Sequence, residues 1–460
     1  MATYIAVLCL IVMVLSVPLA FFKPAWVFYV FLFFKVFEPI FAGYISAAGN
    51  LGMPRIWIPG DILWISTMLA AVMVRNPYKF KRGFLGTGLV IIVVLHIWAL
   101  LFGLGLYFAS ALTYSRVAHF IAAIVFGLRY FTDSRRVNRF MWFCIVVITA
   151  MLFVHVAVRM GIYSPPTTAD MPEFAASTFV GERGTRSVVP VLYLAMIAIG
   201  IGRVTSKVGI LLVSVWCLLV GAAGIVLTET RSTYGAAGLL ALCTLIFVRG
   251  RIKTIVLGSI AALAIILSAT TLGFDFLARF QSDYGLKTAV SSAFTDVYGG
   301  RGMEYRTIAE SYKKDFPYIL TGRGVGALHT AVAGEFGGYV GYYHSEYLGW
   351  LDRCGLIGLV VMLTVVLLAA WRGLVLQRSE FSPLCFYGVS AFLLLMALLG
   401  EGVFHPTLSH QRGASILVCF VVIMANWEHI YTSLVEEEQY YSSFSDEDLM
   451  ISAAVPQGGD

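Results

Sequence analysis

Five short stretches of the chain concentrate the side chains that can hold an oxyanion or move a proton. They read Gly181-Glu182-Arg183-Gly184-Thr185-Arg186, Thr228-Glu229-Thr230-Arg231-Ser232-Thr233, Gly299-Gly300-Arg301-Gly302-Met303-Glu304-Tyr305-Arg306, Gly322-Arg323-Gly324-Val325-Gly326 and Tyr343-His344-Ser345-Glu346-Tyr347-Leu348. Arginine presents a rigid fork of donors that grips phosphate oxygens two at a time. Histidine titrates near neutrality and serves as a general base. Several arginines with one histidine therefore suit a diphosphate leaving group with a proton acceptor beside it. His405, His410 and Arg412 form a second, weaker group.

Each stretch also has a plainer reading. Arg231 abuts an apolar run, where a cation is costly and usually functional, yet a long side chain can also snorkel to headgroups. Arg183 and Arg186 could pair with Glu182 or act as anchors, and an interfacial His344 could simply hydrogen-bond beside its tyrosines. Glycine-rich turns at helix starts can present N–H groups to phosphate. Neither glycine-rich stretch, however, has the Gly-Lys-Ser/Thr of a nucleotide-binding P-loop, which argues against a kinase or ATPase.

The elements that must position these residues are membrane helices. The chain of 460 residues is 59% hydrophobic and only 13% charged, with a mean hydropathy of +0.84; soluble domains carry about 25% charged residues. The apolar residues fall in runs of about 20, the length that crosses a ~30 Å hydrocarbon core. Within such a run a helix satisfies every backbone polar group internally, and the runs are too continuous for the alternating strands of an outer-membrane barrel. The fold class is thus an all-α integral membrane protein. The net charge of +6 is spread over short loops with no basic stripe, so nucleic acid is not an expected partner. The seven cysteines lie in or beside apolar runs without metal-ligand spacing, predicting no structural disulfide and no metal site.

The spans are expected at 3–22, 25–45, 58–74, 85–107, 109–128, 138–158, 187–203, 207–228, 232–249, 252–271, 354–371, 382–400 and 412–429, giving 12 or 13 crossings. The first starts almost at Met1 without a basic segment ahead and reads as an uncleaved helix. Simple alternation puts five basic loops on one side: Arg75 to Arg82, Arg129 to Arg139, Arg203 with Lys207, Arg249 to Lys253, and Arg372 with Arg378. The positive-inside rule makes that side cytoplasmic. The other side then holds segments 159–186, 272–353 and 401–411, and with them Arg183, Arg186, Arg231, Arg301, Arg306, Arg323 and His344. Domains follow: a helix bundle over 1–271, a large outer loop over 272–353 with helical periodicity at Ala309, Tyr312 and Phe316, C-terminal helices over 354–432, and an acidic, Ser-rich tail over 433–460 of disordered type.

With sidedness assigned, the order of motifs resembles the superfamily of O-antigen ligases and Wzy-type O-antigen (exopolysaccharide) polymerases. The resembling pieces are Thr230-Arg231-Ser232, Gly300-Arg301-Gly302-Met303-Glu304-Tyr305, Pro317 with Gly322 to Gly326, His344-Ser345-Glu346-Tyr347-Leu348, and Gly355-Leu356-Ile357-Gly358. They cover about residues 180–370. The family typically has Trp where Tyr305 stands and Asn where Ser345 stands. The resemblance implies a GT-C-like glycosyltransferase of the bacterial inner membrane, with its active site facing the periplasm. Its substrate would be an undecaprenyl-diphosphate-linked glycan and its acceptor another lipid-linked glycan or lipid A–core, with a chain-length regulator as a further partner and no cofactor.

Carried over by motif, Arg231, Arg301 and His344 are the catalytic positions. Arg183 or Arg186, with Arg231, Arg301, Arg306 and Arg323, are the diphosphate-binding set. The expected reaction is inverting and metal-free, with Glu304 and Glu346 as alternative bases. A polymerase is the leading expectation, from the large loop and Ser345; a ligase is the alternative. A transporter or flippase of lipid-linked saccharide is disfavoured, because such proteins place ionisable groups at the bilayer midplane, often in repeated halves. Here the spans carry few charges and no repeat.

Overall fold

The computed structural model describes residues 2–47, 58–74, 83–106, 119–159, 231–249, 316–327, 345–402 and 414–439, with the single positions 162, 253, 257, 261, 309, 312 and 313. Among them the regular structure is helical throughout, without a strand. The helices are α1 (Ala2–Phe22), α2 (Pro24–Ala47), α3 (Ile58–Met73), α4 (Phe84–Leu106), α5 (Phe120–Tyr130), α6 (Ser134–Arg159), α7 (Arg231–Phe247), the single turn α8 (Tyr318–Thr321), α9 (Glu346–Leu376), α10 (Ser382–Glu401), α11 (Ala414–Ala425) and α12 (Trp427–Gln439). Phe84–Leu106, Glu346–Leu376 and Pro383–Gly400 are each long and apolar enough to cross a bilayer. Ser415–Ala425 and Trp427–Gln439, bent by 65°, would make a fourth if counted as one broken span. The expected spans 187–203, 207–228 and 252–271 lie essentially outside the described residues.

The apolar character of these helices runs all the way round, as lipid on one side and protein on the other require. In α4, Leu85, Leu89, Ile92, His96, Ala99 and Gly103 form a buried seam at heptad spacing, while Ile91, Val94, Trp98 and Leu101 point outward. Gly88 lets Val365 of α9 approach closely: a Cβ there would stand 2.5 Å from its Cγ2. Phe28 of α2 stacks on Phe126 of α5 with ring centroids 4.2 Å apart.

The basic loop ends gather at one end of the bundle. Arg129 donates to the carbonyls of Ala71 and Val72 at the end of α3 (2.8 and 3.1 Å). Arg135 pairs with Glu437 of α12 at 2.9 Å, Arg372 stacks over Trp427, and Gln377 reaches the Phe247 carbonyl at the end of α7. Alternation along the chain thus brings these separate loop regions to a common end. Helix α12 carries on past residue 433 to Gln439, so its ordered part enters the segment expected as tail, held there by Arg135.

The spans are less free of charge than the sequence suggests. Lys35 of α2 is buried, and its ammonium donates to His119 Nδ1 at 3.2 Å, while His119 Nε2 donates to Asp61 Oδ1 of α3 at 2.9 Å. An ammonium only donates and a carboxylate only accepts, which fixes this imidazole as the Nε2–H form. Asp61 lies ten residues, about 15 Å of helix, from Ala71. Opposite charges on either side of one imidazole tie α2, α3 and the start of α5 together.

At the basic end, Asn426 marks the bend between α11 and α12. Its side-chain amide donates to the carbonyls of Gly127, Leu128 and Phe131 (3.4, 3.1 and 3.0 Å), and so closes off the end of α5, where the last carbonyls run out of intrahelical donors. Gly127 O alone of the three also accepts a backbone N–H, from Phe131. Asn426→Ala should therefore destabilise the purified protein by about 1–3 kcal/mol. Thermal unfolding in detergent measures this, and an unchanged midpoint would contradict the assignment.

Candidate functional site

At the other end of the bundle, α9 is broken at Gly355, whose φ of 69° and ψ of −173° are non-helical. A break strips the preceding carbonyls of their usual i+4 donors. Three consecutive ones are taken up by Tyr312, Arg323 and Gly324. Leu351 O accepts from the Tyr312 hydroxyl at 2.8 Å, and Asp352 O and Arg353 O accept from the N–H groups of Arg323 and Gly324 at 2.7 and 3.3 Å. The Val325 N–H adds a bond to Ala99 O of α4 at 2.9 Å. Burial beside Asp352 raises the Tyr312 pKa, so the phenol stays a neutral donor.

The glycines permit this close approach. Gly322, Gly324 and Gly326 all have positive φ, a region that costs other residues energy. A Cβ on Gly355 would sit 2.2 Å from Leu320 O, and one on Gly103 of α4 only 1.9 Å from Val325 O. The stretch Gly322 to Gly326 is thus a backbone wedge held between α4 and the break in α9.

Arg323 locks the wedge with its side chain. Its Nε and Nη2 both reach Asp352 Oδ1, at 2.8 and 2.6 Å, and the two side chains are 13% and 2% exposed. Its charge is balanced by Asp352, so Arg323 serves to dock the loop. Asp352 is not among the residues that the sequence singles out; the signal for it is its position three residues before a glycine opening an apolar run.

The half-helix Glu346–Cys354 ahead of the break is packed on polar contacts. Ser345 is its N-cap, but the hydroxyl accepts no N–H from its own helix and instead donates to Gly402 O at the end of α10 (3.4 Å). The Glu346 N–H donates to the same carbonyl at 2.9 Å, and the Tyr347 hydroxyl donates to Leu399 O. The Glu346 carboxylate is buried, 1% exposed, and accepts from Trp350 Nε1 at 2.5 Å. Arg353 folds back over Gly349, where a Cβ would meet its Nη2 at 3.0 Å. Behind Trp350 stands His96 of α4, with ring centroids 4.3 Å apart, and Phe120 of α5 packs edge-on against His96. Glu346, enclosed in this way, is in no position to take a proton from an acceptor and is not the base.

Of the residues the sequence singles out, Arg231 opens α7. Leu239 of α7 packs at Gly400 and Phe247 packs on Phe392, so α7 runs antiparallel to α10. Residue 231 then stands about 12 Å of helix beyond the Leu239–Gly400 contact, at the same end as the wedge and Gly402. His344 directly precedes Ser345 in the chain. Arg183, Arg186, Arg301, Glu304, Arg306, His344, His405, His410 and Arg412 lie outside the described residues. No group of three or more His, Cys, Asp or Glu able to hold a metal occurs among the described residues.

Residues 213–363 match a family model described as O-Antigen ligase. The matched segment runs from ahead of α7 to beyond the break in α9, and so takes in Arg231, Arg301, Arg323, His344 and Gly355. No curated protein matches the chain.

The wedge yields a direct prediction. In Gly355→Ala, Leu320 O obstructs the new methyl and the wedge should leave its groove. Trypsin should then cut after Arg323 at least ten times faster than in the wild type, as read by mass spectrometry. An unchanged cleavage rate would contradict the docking described above.

Proposed function

We propose that this member of the O-antigen ligase and polymerase superfamily is a glycosyltransferase of the bacterial inner membrane. It polymerises undecaprenyl-diphosphate-linked oligosaccharide repeat units at the periplasmic face. The observation that carries the reading is that the matched segment 213–363 contains Arg231, Arg301 and His344. The described structure adds support, because the start of α7, the docked wedge and the turn at Ser345 all belong to the end opposite the basic loops. The GT-C-like architecture, the count of 12 or 13 crossings and the periplasmic placement of 272–353 are part of this proposal.

In the mechanism, Arg231 and Arg301, with Arg306 and one of Arg183 and Arg186, hold the diphosphate. They stabilise the charge that grows on it as the sugar–phosphate bond breaks. Arg323 contributes from behind by holding the wedge on Asp352. His344 takes the proton from the acceptor hydroxyl as its oxygen attacks the anomeric carbon from the face opposite the diphosphate. The new C–O bond forms as the old one breaks, undecaprenyl diphosphate leaves with the bonding electrons, and the configuration inverts. Diphosphate is a good leaving group, so no strong general acid is required, and none of these steps calls on a metal or cofactor.

The acceptor distinguishes two members of one chemistry. A polymerase passes the growing glycan to another lipid-linked repeat unit and works with a chain-length regulator. A ligase passes it to lipid A–core. The large loop 272–353 and Ser345, in place of the usual Asn, favour the polymerase. Purified protein given lipid-linked repeat units alone should extend them into polymer; product formed only after lipid A–core is added would make it a ligase. Arg301→Ala and His344→Ala should each abolish product at unchanged abundance in the membrane, and wild-type product from either variant would overturn the site.

A further inference from the structure

A half-exposed carboxylate heads an apolar face of α3 that the proposed reaction does not use. Asp61, Ile65, Leu69 and Val72 follow one another at helical spacing, and the three apolar side chains are all exposed. At 1.5 Å of rise per residue they make a strip about 16 Å long. Asp61 stands at its head, away from Ala71 and the basic end, with its side chain 42% exposed. A carboxylate beside such a face is costly unless it is paired.

The protein supplies that pairing from the buried side. His119 Nε2 donates to Asp61 Oδ1 at 2.9 Å, and the Lys35 ammonium donates to Nδ1 of the same ring at 3.2 Å. Trp64, one turn beyond Asp61, stacks on the imidazole with ring centroids 6.0 Å apart. Only Oδ1 is engaged in this way; among the described residues Oδ2 accepts no hydrogen bond. A tie between helices needs no carboxylate here, because the carbonyl oxygen of an Asn would accept from His119 as well. What the carboxylate adds is a negative charge, balanced from within, whose second oxygen is left for a donor.

The occupant must therefore bring an N–H or O–H group, and the charge disfavours a phosphate or diphosphate placed against it. A metal ion would need more ligands than one carboxylate, and no such group occurs among the described residues. The apolar strip leading from Asp61 suits a hydrocarbon chain. A primary ammonium on a lipid meets both requirements, with three donors and a positive charge for the carboxylate. We propose that Asp61 and the Ile65–Leu69–Val72 face of α3 bind an aminophospholipid, its ammonium donating to Asp61 Oδ2 and an acyl chain lying along the strip. The lipid's own phosphate is two methylenes from the nitrogen and turns away from the carboxylate.

The probe is phosphatidylethanolamine with a photoactivatable diazirine in one acyl chain, added to the purified full-length protein in detergent. Mass spectrometry then reads the labelling of α3, with the outward-facing Leu367 and Trp371 of α9 as an internal reference for unspecific lipid contact. In the wild type, unlabelled phosphatidylethanolamine should compete for α3 roughly tenfold better than phosphatidylcholine, whose trimethylated nitrogen has no N–H to donate. Asp61→Asn, which keeps the bond to His119, should lower α3 labelling roughly tenfold and leave α9 labelling unchanged, while Asp61→Glu should retain the preference for the primary amine. Unchanged α3 labelling in Asp61→Asn would overturn the proposal. So would equal competition by phosphatidylcholine, which would mean a purely apolar contact, or by diacylglycerol, which would mean that a hydroxyl suffices. Should Asp61→Asn also lose α9 labelling through misfolding, the competition in the wild type decides alone: a tenfold gap upholds the ammonium site and equal competition overturns it.

Discussion

The end of the bundle away from the basic loops depends on a single fault in a long helix. Gly355 turns α9 out of helical geometry and leaves the carbonyls of Leu351, Asp352 and Arg353 to find donors elsewhere. In a setting with little water, an unmet carbonyl is expensive, so the fault requires a partner, and the loop provides one: a tyrosine hydroxyl and two successive backbone N–H groups. The wedge from Gly322 to Gly326 is therefore held by unsatisfied backbone more than by its side chains. The same fault separates the half-helix Glu346–Cys354, next to His344, from the remainder of α9, which crosses the bundle.

Charge is distributed in keeping with that division. At the basic end, Arg129 and Arg135 hold helix ends and α12 through exposed or half-exposed contacts, which individually contribute little to stability. At the other end the contacts are buried: the ion pair of Arg323 with Asp352, and the hydrogen bond from Trp350 to Glu346. Buried pairs are a poor source of net stability but are strongly destabilising when one partner is removed. They fix one arrangement of wedge and half-helix against others. The Lys35–His119–Asp61 relay does the same for α2, α3 and α5 deeper in the bundle. It accounts for a charged residue inside a span that hydropathy alone would count as a defect.

Much of this was legible in the sequence because the bilayer imposes length and sidedness. Runs of apolar residues marked most of the described helices to within a few residues, and the basic loops at 129–139 and 372–378 indeed meet at one end. Where the pattern failed, the cause was local. The span expected at 354–371 begins at Glu346, because the half-helix is amphipathic and carries Glu346, Asp352 and Arg353; a hydropathy window discards such residues. The span expected at 109–128 is described as helix only from Phe120. Arg323 looked like a free phosphate ligand because its partner, Asp352, is distant in sequence, and hydropathy does not reveal pairing across 29 positions. Tyr312, by contrast, stands out by its helical spacing, but its bond to Leu351 depends on the break at Gly355, which hydropathy does not mark.

The central claim is that arginines from separate parts of the chain meet at the outer end to hold a diphosphate beside His344. A cryo-EM structure of the full chain with undecaprenyl diphosphate bound tests it most directly. The account predicts diphosphate density in hydrogen-bond contact with Arg231, Arg301 and one of Arg183 and Arg186, with His344 facing the same cavity and Arg323 still on Asp352. Density for the diphosphate at the basic end of the bundle, or contacted by none of these arginines, would contradict it.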